Sequence, residues 1–191
     1  MALERLDKLL ASTGRWSRKE VKDLVRQGRV LANGRPVLRS EEKWEQTETE
    51  LTVDGQRVDC APFVYLMLHK PAGLLSATED RDQRTVLDLL PEHLRRRGLF
   101  PVGRLDKDTE GLLLITNDGA LAHRLLSPVK HVPKTYLVHT KKPVTSQMCE
   151  KLEAGVEIGD ETPTAPAKTK LLSDTDCGLL LTITEGRFHQ V

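Results

Sequence analysis

The stretch PVGRLDKDTEGLLLITNDGALAHRLLSP, residues Pro101 to Pro128, carries the clearest fold signal in the chain. At its centre, Leu112 to Ile115 is a short all-apolar run, which predicts a buried strand. Asn117-Asp118-Gly119 predicts a turn, and the apolar residues of Ala120 to Leu126 recur at helical spacing. The polar residues Gly103 to Gly111 crowd into a loop before the strand. Loops on rigid scaffolds commonly carry chemistry, so this loop is the first candidate for a functional site.

Asp106 is the candidate catalytic residue of this loop, and its spacing alone leaves a structural role open. An aspartate in a loop commonly accepts hydrogen bonds from backbone N–H groups or pairs with a nearby arginine, here Arg104. From spacing alone, that structural role is favoured over catalysis. The sequence has no local signature of a Ser-His-Asp triad, no phosphate-binding glycine loop and no metal-ligand cluster, and its six histidines are scattered. No metal site and no cofactor are therefore predicted.

Composition places the chain among soluble globular proteins. Of its 191 residues, 38% are apolar and 30% are charged, which is too apolar for a disordered chain. No apolar run approaches the roughly 18 residues that span a bilayer, and no secretory signal is visible, so no membrane partner is expected. The three cysteines, Cys60, Cys149 and Cys177, are odd in number and widely spaced. They fit neither a disulfide framework nor a zinc site, which favours a reducing cytoplasm.

Charge is distributed unevenly along the chain. Residues 1–40 contain ten Lys/Arg and four Asp/Glu, a net +6, whereas residues 41–60 contain two and seven, a net −5. A basic end followed by an acidic segment is typical of a polyanion-binding surface. A solvated basic face beside an acidic loop explains the same counts equally well, so charge alone does not decide between the two.

The N-terminal segment predicts two helices. Apolar residues at helical spacing indicate a first helix, and Ser17 and Glu20 are placed as a capping box that starts a second one, which Gly28 ends. The apolar residues that indicate these helices are Leu3, Leu6, Leu9 and Leu10 in the first, and Val21, Leu24 and Val25 in the second. At about 100° per residue, four cations share one arc of the second helix. They are Arg18, Lys19, Lys22 and Arg26.

A small sheet is predicted after these helices. Asn33-Gly34 and Asp54-Gly55 each separate two short apolar segments, and this pattern is a strong hairpin signal because both turn residues tolerate positive φ. Pro36 places its strand at a sheet edge, since proline cannot donate a ladder hydrogen bond. Further along, Phe63 to Leu68 predicts a strand and His69 to Gly73 a turn.

The segment RLDKLLASTGRWSRKEVKDLVRQGRVLANGRPV, Arg5 to Val37, resembles the S-four-type RNA-binding module, named after a small-subunit ribosomal protein. The resemblance extends to about Val58. It implies that the capped helix and the following strand face structured RNA. It therefore assigns RNA binding to five cations, Arg18, Lys19, Lys22, Arg26 and Arg29.

The motif GRLDKDTEGLLLITNDG, Gly103 to Gly119, closely resembles the catalytic motif of pseudouridine synthases of the RsuA type. Three more segments agree in order and spacing: LHKPAGLLSAT (Leu68 to Thr78), KTYLV (Lys134 to Val138) and TEGRFHQV (Thr184 to Val191). The stretch from Phe63 to Pro91 looks most similar to the branch that acts on small-subunit ribosomal RNA. Together with the N-terminal module, the resemblance covers nearly the whole chain.

This resemblance implies a reaction and a set of site residues. Asp106 would be the catalytic carboxylate, acting at the ribose of a uridine either as nucleophile toward C1′ or as base toward C2′–H. Tyr136 would lie against the target uracil, and Arg104 and Lys134 would bind the substrate. No cofactor is implied. Without the resemblance, Tyr136 would be interpreted as an ordinary strand aromatic.

The expected architecture is α+β with two domains. An RNA-binding module (residues 1–60) precedes a catalytic domain (residues 61–191) built on a mixed, largely antiparallel sheet with flanking helices, and the linker should let the two move. The family pattern continues beyond Val191 with a basic residue, a helix and more sheet, so a C-terminally truncated chain with weak activity is expected. The expected partner is ribosomal RNA or a pre-ribosomal particle, bound by a monomer. Large-subunit RNA as substrate, or a non-catalytic RNA-binding or assembly role, are the alternatives.

Overall fold

A computed structural model describes residues 3–172, 177–187 and 190–191, apart from the side chain of Pro128. The chain divides into two compact units, Met1–Ala122 and His123–Val191. Both units combine helices with antiparallel sheets, in agreement with the predicted α+β class. No helix in the described ranges is long and apolar enough to cross a membrane.

The first unit opens with two helices and six short strands. Its elements are β1 (Leu3–Arg5), α1 (Leu6–Ala11), α2 (Arg18–Arg26), β2 (Val30–Ala32), β3 (Arg35–Pro36), β4 (Lys43–Glu45), β5 (Leu51–Val53) and β6 (Gln56–Val58). Strands β1 and β4 form one pair, and the others form a sheet in the order β3-β2-β5-β6. The predicted hairpins at Asn33-Gly34 and Asp54-Gly55 are both present, and Pro36 lies on the edge strand.

The start of the first helix differs from the prediction. Leu3 is 61% exposed and pairs with Glu45 in the β1–β4 ladder, and α1 begins only at Leu6. The prediction that included Leu3 in the helix is therefore wrong. The helical spacing extends to Leu3, but its backbone hydrogen bonds are made to a strand about 40 residues further along the chain.

Helix α2 begins at the predicted capping box. The Ser17 hydroxyl accepts a hydrogen bond from the Glu20 N–H (3.2 Å), and the Glu20 carboxylate accepts one from the Ser17 N–H (2.6 Å). Its apolar side, including Val21 and Leu24, is buried in a core shared with α1 and the sheet. Gly28 follows the last turn with a φ of +69°, the conformation that a glycine after a helix adopts without strain.

A second sheet follows in the same unit. The elements are β7 (Tyr65–Lys70), α3 (Glu92–Arg95), β8 (Phe100–Pro101), β9 (Gly111–Thr116) and α4 (Gly119–Leu126), the last crossing the boundary between the units. The strand order is β7-β9-β8, and both pairs are antiparallel. The buried core under this sheet is separate from that of the N-terminal module. The predicted domain boundary near residue 60 falls between these two cores and remains a prediction.

Two strand predictions need correction. The strand expected at Phe63 to Leu68 runs from Tyr65 to Lys70, so His69 and Lys70 belong to the ladder rather than to a turn. The run Leu112 to Ile115 is a strand as expected, but only one face of it is buried. Ile115 is fully buried whereas Leu112 is 67% exposed. The core packs against one face of this antiparallel sheet and leaves the other face to solvent, which an all-apolar run does not reveal.

The linker between the N-terminal module and the second sheet is held by hydrogen bonds. The Arg97 guanidinium donates to the carbonyl oxygens of Ala61 and Pro62. The Asn117 amide donates to the Pro62 carbonyl (3.2 Å) and accepts from the Val64 N–H (2.9 Å). Local sequence patterns do not reveal these contacts, because Arg97 and Asn117 lie 35 to 55 residues away along the chain.

The second unit contains a three-stranded sheet and a helix, and the end of α4 also lies in it. Its elements are β10 (Lys134–His139), α5 (Ser146–Ala154), β11 (Lys168–Leu171) and β12 (Gly178–Ile183), in the strand order β10-β12-β11. Leu179, Leu181 and Ile183 of β12 are buried in the core on one side of this sheet. Phe188 and His189, part of the motif predicted at Thr184 to Val191, lie outside the described residues.

Candidate active site

Asp106 lies in the loop between β8 and β9. The loop leaves the sheet after the Val102 N–H donates to the Leu114 carbonyl (2.7 Å). It then forms a turn in which the Thr109 N–H donates to the Asp106 carbonyl (3.1 Å). Asp106 itself is partly exposed, so solvent and ligands reach this part of the surface. A loop attached to a sheet in this way can present a carboxylate to a substrate.

A buried lysine supports the same loop. The Lys70 ammonium is fully buried and donates to the carbonyl oxygens of Pro71 (3.1 Å), Lys107 (3.0 Å) and Thr109 (2.8 Å). The Gly73 N–H donates to the same Lys107 carbonyl (2.7 Å). These bonds fix the backbone on the C-terminal side of Asp106 to the end of β7.

The electrostatics of Lys70 combine two opposing effects. Burial lowers the pKa of its ammonium, because the charged form loses hydration, while the nearby carboxylates of Asp108, Glu110 and Asp106 raise it. Sequence reasoning missed this residue. Leu66, Leu68 and Lys70 alternate along β7 and point to one face, which was the available signal, but Lys70 was assigned to a turn.

Arg104 is exposed two residues before Asp106. The backbone at residues 102–110 forms no strand, so no strand alternation sets the directions of these two side chains. Next to Asp106, Lys107 donates from Nζ to the Gln83 side-chain oxygen (2.8 Å). Arg104 and Asp106 therefore share one irregular loop, which also contacts the segment around Gln83.

The two remaining candidates for substrate binding, Tyr136 and Lys134, lie on β10 in the second unit. Tyr136 is paired with Leu181 across the β10–β12 ladder and packs against the buried residues of β12. Lys134 opens the strand, and its Nζ donates to the Val132 carbonyl (3.2 Å). Asp106 and Arg104 thus belong to one compact unit, and Tyr136 and Lys134 belong to the other.

Arg18, the first cation of the proposed RNA-binding face on α2, pairs with a buried carboxylate. Asp7 is fully buried, and its oxygens accept from Arg5 (3.1 and 2.9 Å) and from Arg18 (2.9 Å). Burial raises the pKa of this carboxyl, but the hydrogen bonds and charges of Arg5 and Arg18 outweigh burial, so the net direction is down. Arg18 therefore stabilises the module as well as contributing charge to its surface.

The other cations of this face are exposed, apart from the half-buried Lys22, and most of them are paired. Lys22 lies 3.8 Å from Glu41, and Arg26 lies 3.0 Å from Asp23. Arg29 binds Asp54 through two hydrogen bonds of 2.6 Å. Lys19 is exposed and makes no ion pair with any residue in the described part of the chain. An RNA phosphate would compete with the acidic partners for these cations, with Lys19 as the exception.

The remaining titratable groups include three cysteines. Within the described ranges, no group of three His, Cys, Asp or Glu residues is arranged to hold a metal ion. Cys60 and Cys149 are free thiols. Burial raises the pKa of the Cys60 thiol to about 11, so it is protonated and unreactive at neutral pH.

Residues 64–191 match the model for RNA pseudouridylate synthase, and residues 4–43 match the model for the S4 domain. A solved structure described as the crystal structure of pseudouridylate synthase is 35% identical, with a TM-score of 0.63. It matches 97% of this chain and 79% of its own.

Three relatives show how the similarity is distributed. An uncharacterized RNA pseudouridine synthase of Bacillus subtilis is 53% identical over 190 residues, which cover 98% of this chain and 79% of the relative. The ribosomal large subunit pseudouridine synthase B of Bacillus subtilis is 38% identical (99% and 78% covered). The ribosomal small subunit pseudouridine synthase A of Pasteurella multocida is also 38% identical (98% and 80% covered).

The resemblance inferred from the catalytic motif and from the N-terminal module is confirmed by both family models. The synthase model covers the Asp106 loop as well as the strand that carries Tyr136, and the relatives match the chain almost from end to end. On this sequence and structural agreement, the chain belongs to the RNA pseudouridylate synthase family and carries an S4 domain at its N-terminal end.

Proposed function

We propose that this protein isomerises uridine to pseudouridine in ribosomal RNA, with Asp106 as the catalytic carboxylate. The observation that carries the proposal is the Asp106 loop. In a chain of the synthase family, a partly exposed aspartate is followed by backbone that the buried Lys70 binds at the carbonyls of Lys107 and Thr109. Two relatives named as ribosomal subunit pseudouridine synthases support ribosomal RNA as the substrate. The working form in this proposal is a cytoplasmic monomer.

The reaction breaks the N1–C1′ bond of uridine and forms a C5–C1′ bond after the uracil has turned. C5 loses its hydrogen and N1 gains a proton, so atoms and oxidation state are unchanged and no redox cofactor takes part. Asp106 acts on the ribose, as nucleophile at C1′ or as base toward C2′–H. Either role requires an ionised carboxylate close to the sugar.

Reaching the sugar requires the nucleotide to leave its stack, at a cost of a few kcal/mol. The Tyr136 ring offsets part of this cost, since base–aromatic stacking contributes about 1–3 kcal/mol per base. Arg104 and Lys134 bind phosphates next to the extruded nucleotide. The cations of α2 and Arg29 bind the flanking RNA, where each neutralised phosphate releases counterions.

Small-subunit ribosomal RNA is the proposed target. The stretch from Phe63 to Pro91 favours this branch in the sequence. The equal identity of 38% to a large-subunit and a small-subunit enzyme makes large-subunit RNA the second candidate. A third possibility, a non-catalytic binding or assembly factor, predicts RNA binding without any isomerisation.

Site mapping of pseudouridine in both ribosomal RNAs tests these assignments. Cells lacking the protein are complemented with the natural chain, with Asp106→Asn, or with Asp108→Asn as a control in the same loop. We expect one small-subunit uridine to be modified with the natural chain and with Asp108→Asn, and to remain unmodified with Asp106→Asn. A position restored in large-subunit RNA instead would select the second candidate. Full modification by Asp106→Asn would reject Asp106 as the catalyst.

A further inference from the structure

The hydroxyl of Ser76 binds both backbone groups of the residue before Asp106. Its Oγ donates to the Leu105 carbonyl at 2.7 Å and accepts from the Leu105 N–H at 3.1 Å. Both atoms belong to the peptide units that flank Leu105, so the two bonds restrict rotation on either side of that residue. The backbone that leads into Asp106 is thereby fixed by a single side chain.

Ser76 itself is attached to a rigid part of the first unit. Its neighbour Leu75 forms a bridge with Thr85, in which the Leu75 N–H donates to the Arg84 carbonyl (3.1 Å) and the Val86 N–H donates to the Leu75 carbonyl (2.9 Å). Val86 is fully buried in the core below the sheet. A side chain mounted on this segment can hold a loop because its own backbone is restrained.

The Asp106 loop is consequently held on both sides. Ser76 binds it on the N-terminal side, and Lys70 and Gly73 bind the Lys107 carbonyl on the C-terminal side. The backbone of Asp106 is therefore restrained through both of its neighbours, Leu105 and Lys107. Catalytic groups need such restraint, because a displacement of about 1 Å can reduce a rate roughly 100-fold.

We propose that Ser76 is a positioning residue for Asp106, acting through the Leu105 peptide. This inference rests on the proposed role of Asp106 as the catalytic carboxylate. Ser76 does not need to touch the RNA in this role, so its removal should reduce the rate of the chemical step and leave RNA affinity unchanged. The hydroxyl, rather than the size of the side chain, is the required feature.

Ser76→Ala removes both hydrogen bonds, and Ser76→Thr keeps a hydroxyl on the same Cβ. Release of tritium from C5-labelled uridine in a ribosomal RNA transcript gives kcat and KM. We expect Ser76→Ala to lower kcat about 10- to 100-fold with KM and RNA Kd within about twofold, and Ser76→Thr to recover most of the loss. Thr78→Ala, an exposed hydroxyl two residues away, is the matched control and should keep the natural kcat.

Thermal melting and far-UV circular dichroism of each variant accompany the kinetics. A natural kcat in Ser76→Ala, a loss that only follows the fraction of unfolded protein, or an equal loss in Ser76→Thr would each overturn the positioning role. Asp106→Asn is assayed in parallel. An inactive Asp106→Asn beside a fully active Ser76→Ala rejects only the positioning role, whereas an active Asp106→Asn rejects Asp106 as the catalyst and the positioning role with it.

Discussion

The Nζ of Lys70 lies 3.0 Å from the carbonyl oxygen of Lys107, and this bond connects the last residue of β7 to the residue directly after Asp106. The same ammonium also binds the carbonyl of Thr109. Burying an ammonium is costly unless hydrogen bonds compensate for the lost hydration. Here three carbonyl oxygens provide that compensation, so the charge of Lys70 stabilises one particular conformation of the Asp106 loop.

Lys70→Met should disturb both stability and activity. Methionine preserves much of the side-chain volume but removes the ammonium donor from three carbonyls, although the Lys107 carbonyl still accepts from the Gly73 N–H. An unsatisfied buried polar group costs about 1–3 kcal/mol. We expect a fall of about this size in the free energy of unfolding, measured with urea, and a loss of at least about tenfold in kcat. Lys168→Met, at an exposed lysine in β11, is the control for the substitution. Natural stability together with natural kcat in Lys70→Met would contradict the role assigned to the buried ammonium.

Local patterns in the sequence predicted the elements whose hydrogen bonds are local. The capping box of Ser17 and Glu20 and the hairpins at Asn33-Gly34 and Asp54-Gly55 depend on residues within a few positions of one another, and all three are confirmed. Lys70 was misplaced because two of the three carbonyls that bind it come from a loop 37 to 39 residues away. The proline and glycine that follow it indicated a turn, and this outweighed the alternation of Leu66, Leu68 and Lys70 along the strand.

The ion pairs of the RNA-binding face were also hard to predict where the partners are far apart in the sequence. Helical spacing correctly placed the four cations on α2. It could not show that Asp7 binds Arg18 or that Asp54 binds Arg29, since these partners are 11 and 25 residues apart. The assignment of Asp106 is of a different kind. It came from the family motif, because neither spacing nor composition distinguishes a catalytic aspartate from one that caps a turn.

The pairing of Asp7 with Arg5 and Arg18 predicts acid sensitivity of the N-terminal module. The pKa of Asp7 is lowered below its usual 3.8, so the folded state favours the ionised form. The resulting stabilisation is fully present above pH 3.8 and is lost as the pH falls through the lowered pKa of the folded state. Asp7→Asn should be less stable at pH 7, by about 1.5–3 kcal/mol, since charged hydrogen bonds are lost.

Urea unfolding from pH 7 down to the acid range measures this effect. Because Asp7→Asn has no carboxylate to protonate, the gap between it and the natural chain should narrow as the pH falls below 3.8. Asp23→Asn, which removes an exposed partner of Arg26, should change stability by less than about 1 kcal/mol. A gap that stays constant over the whole pH range would show that Asp7 does not titrate with folding.

We expect Lys19 to contribute to RNA affinity alone, whereas its neighbours on α2 also form ion pairs within the protein. It is exposed and makes no ion pair with a described residue, so its removal breaks no folded-state interaction of that kind. Lys19→Ala should leave the melting temperature unchanged and reduce the slope of log Kd against log salt by about 0.7–0.9, the contribution of one phosphate contact. Lys151→Ala, at an exposed lysine of α5, should leave that slope unaltered. An unchanged slope in Lys19→Ala would remove Lys19 from the RNA-binding face.

Gly14 lies where the N-terminal module meets α3. Its φ is +75°, and a Cβ built there would overlap the carbonyl oxygen of His93 and lie 3.2 Å from the Cβ of Arg96. Gly14→Ala therefore combines backbone strain, which costs about 1–3 kcal/mol, with a clash that separates the module from α3. Gly34→Ala has the same φ of +75° but no neighbouring atom within 4 Å of the added Cβ, so it measures the strain alone.

Urea unfolding of both variants should show a larger loss of stability in Gly14→Ala than in Gly34→Ala, and the difference is the contribution of the close approach. Equal losses would mean that the approach to His93 contributes nothing. The cations of α2 and the Asp106 loop both lie in the first unit. A shift of the module changes the distance between them. Gly14→Ala should then reduce modification of a structured RNA more strongly than that of a short single-stranded substrate, because only the structured RNA extends from the module to the loop.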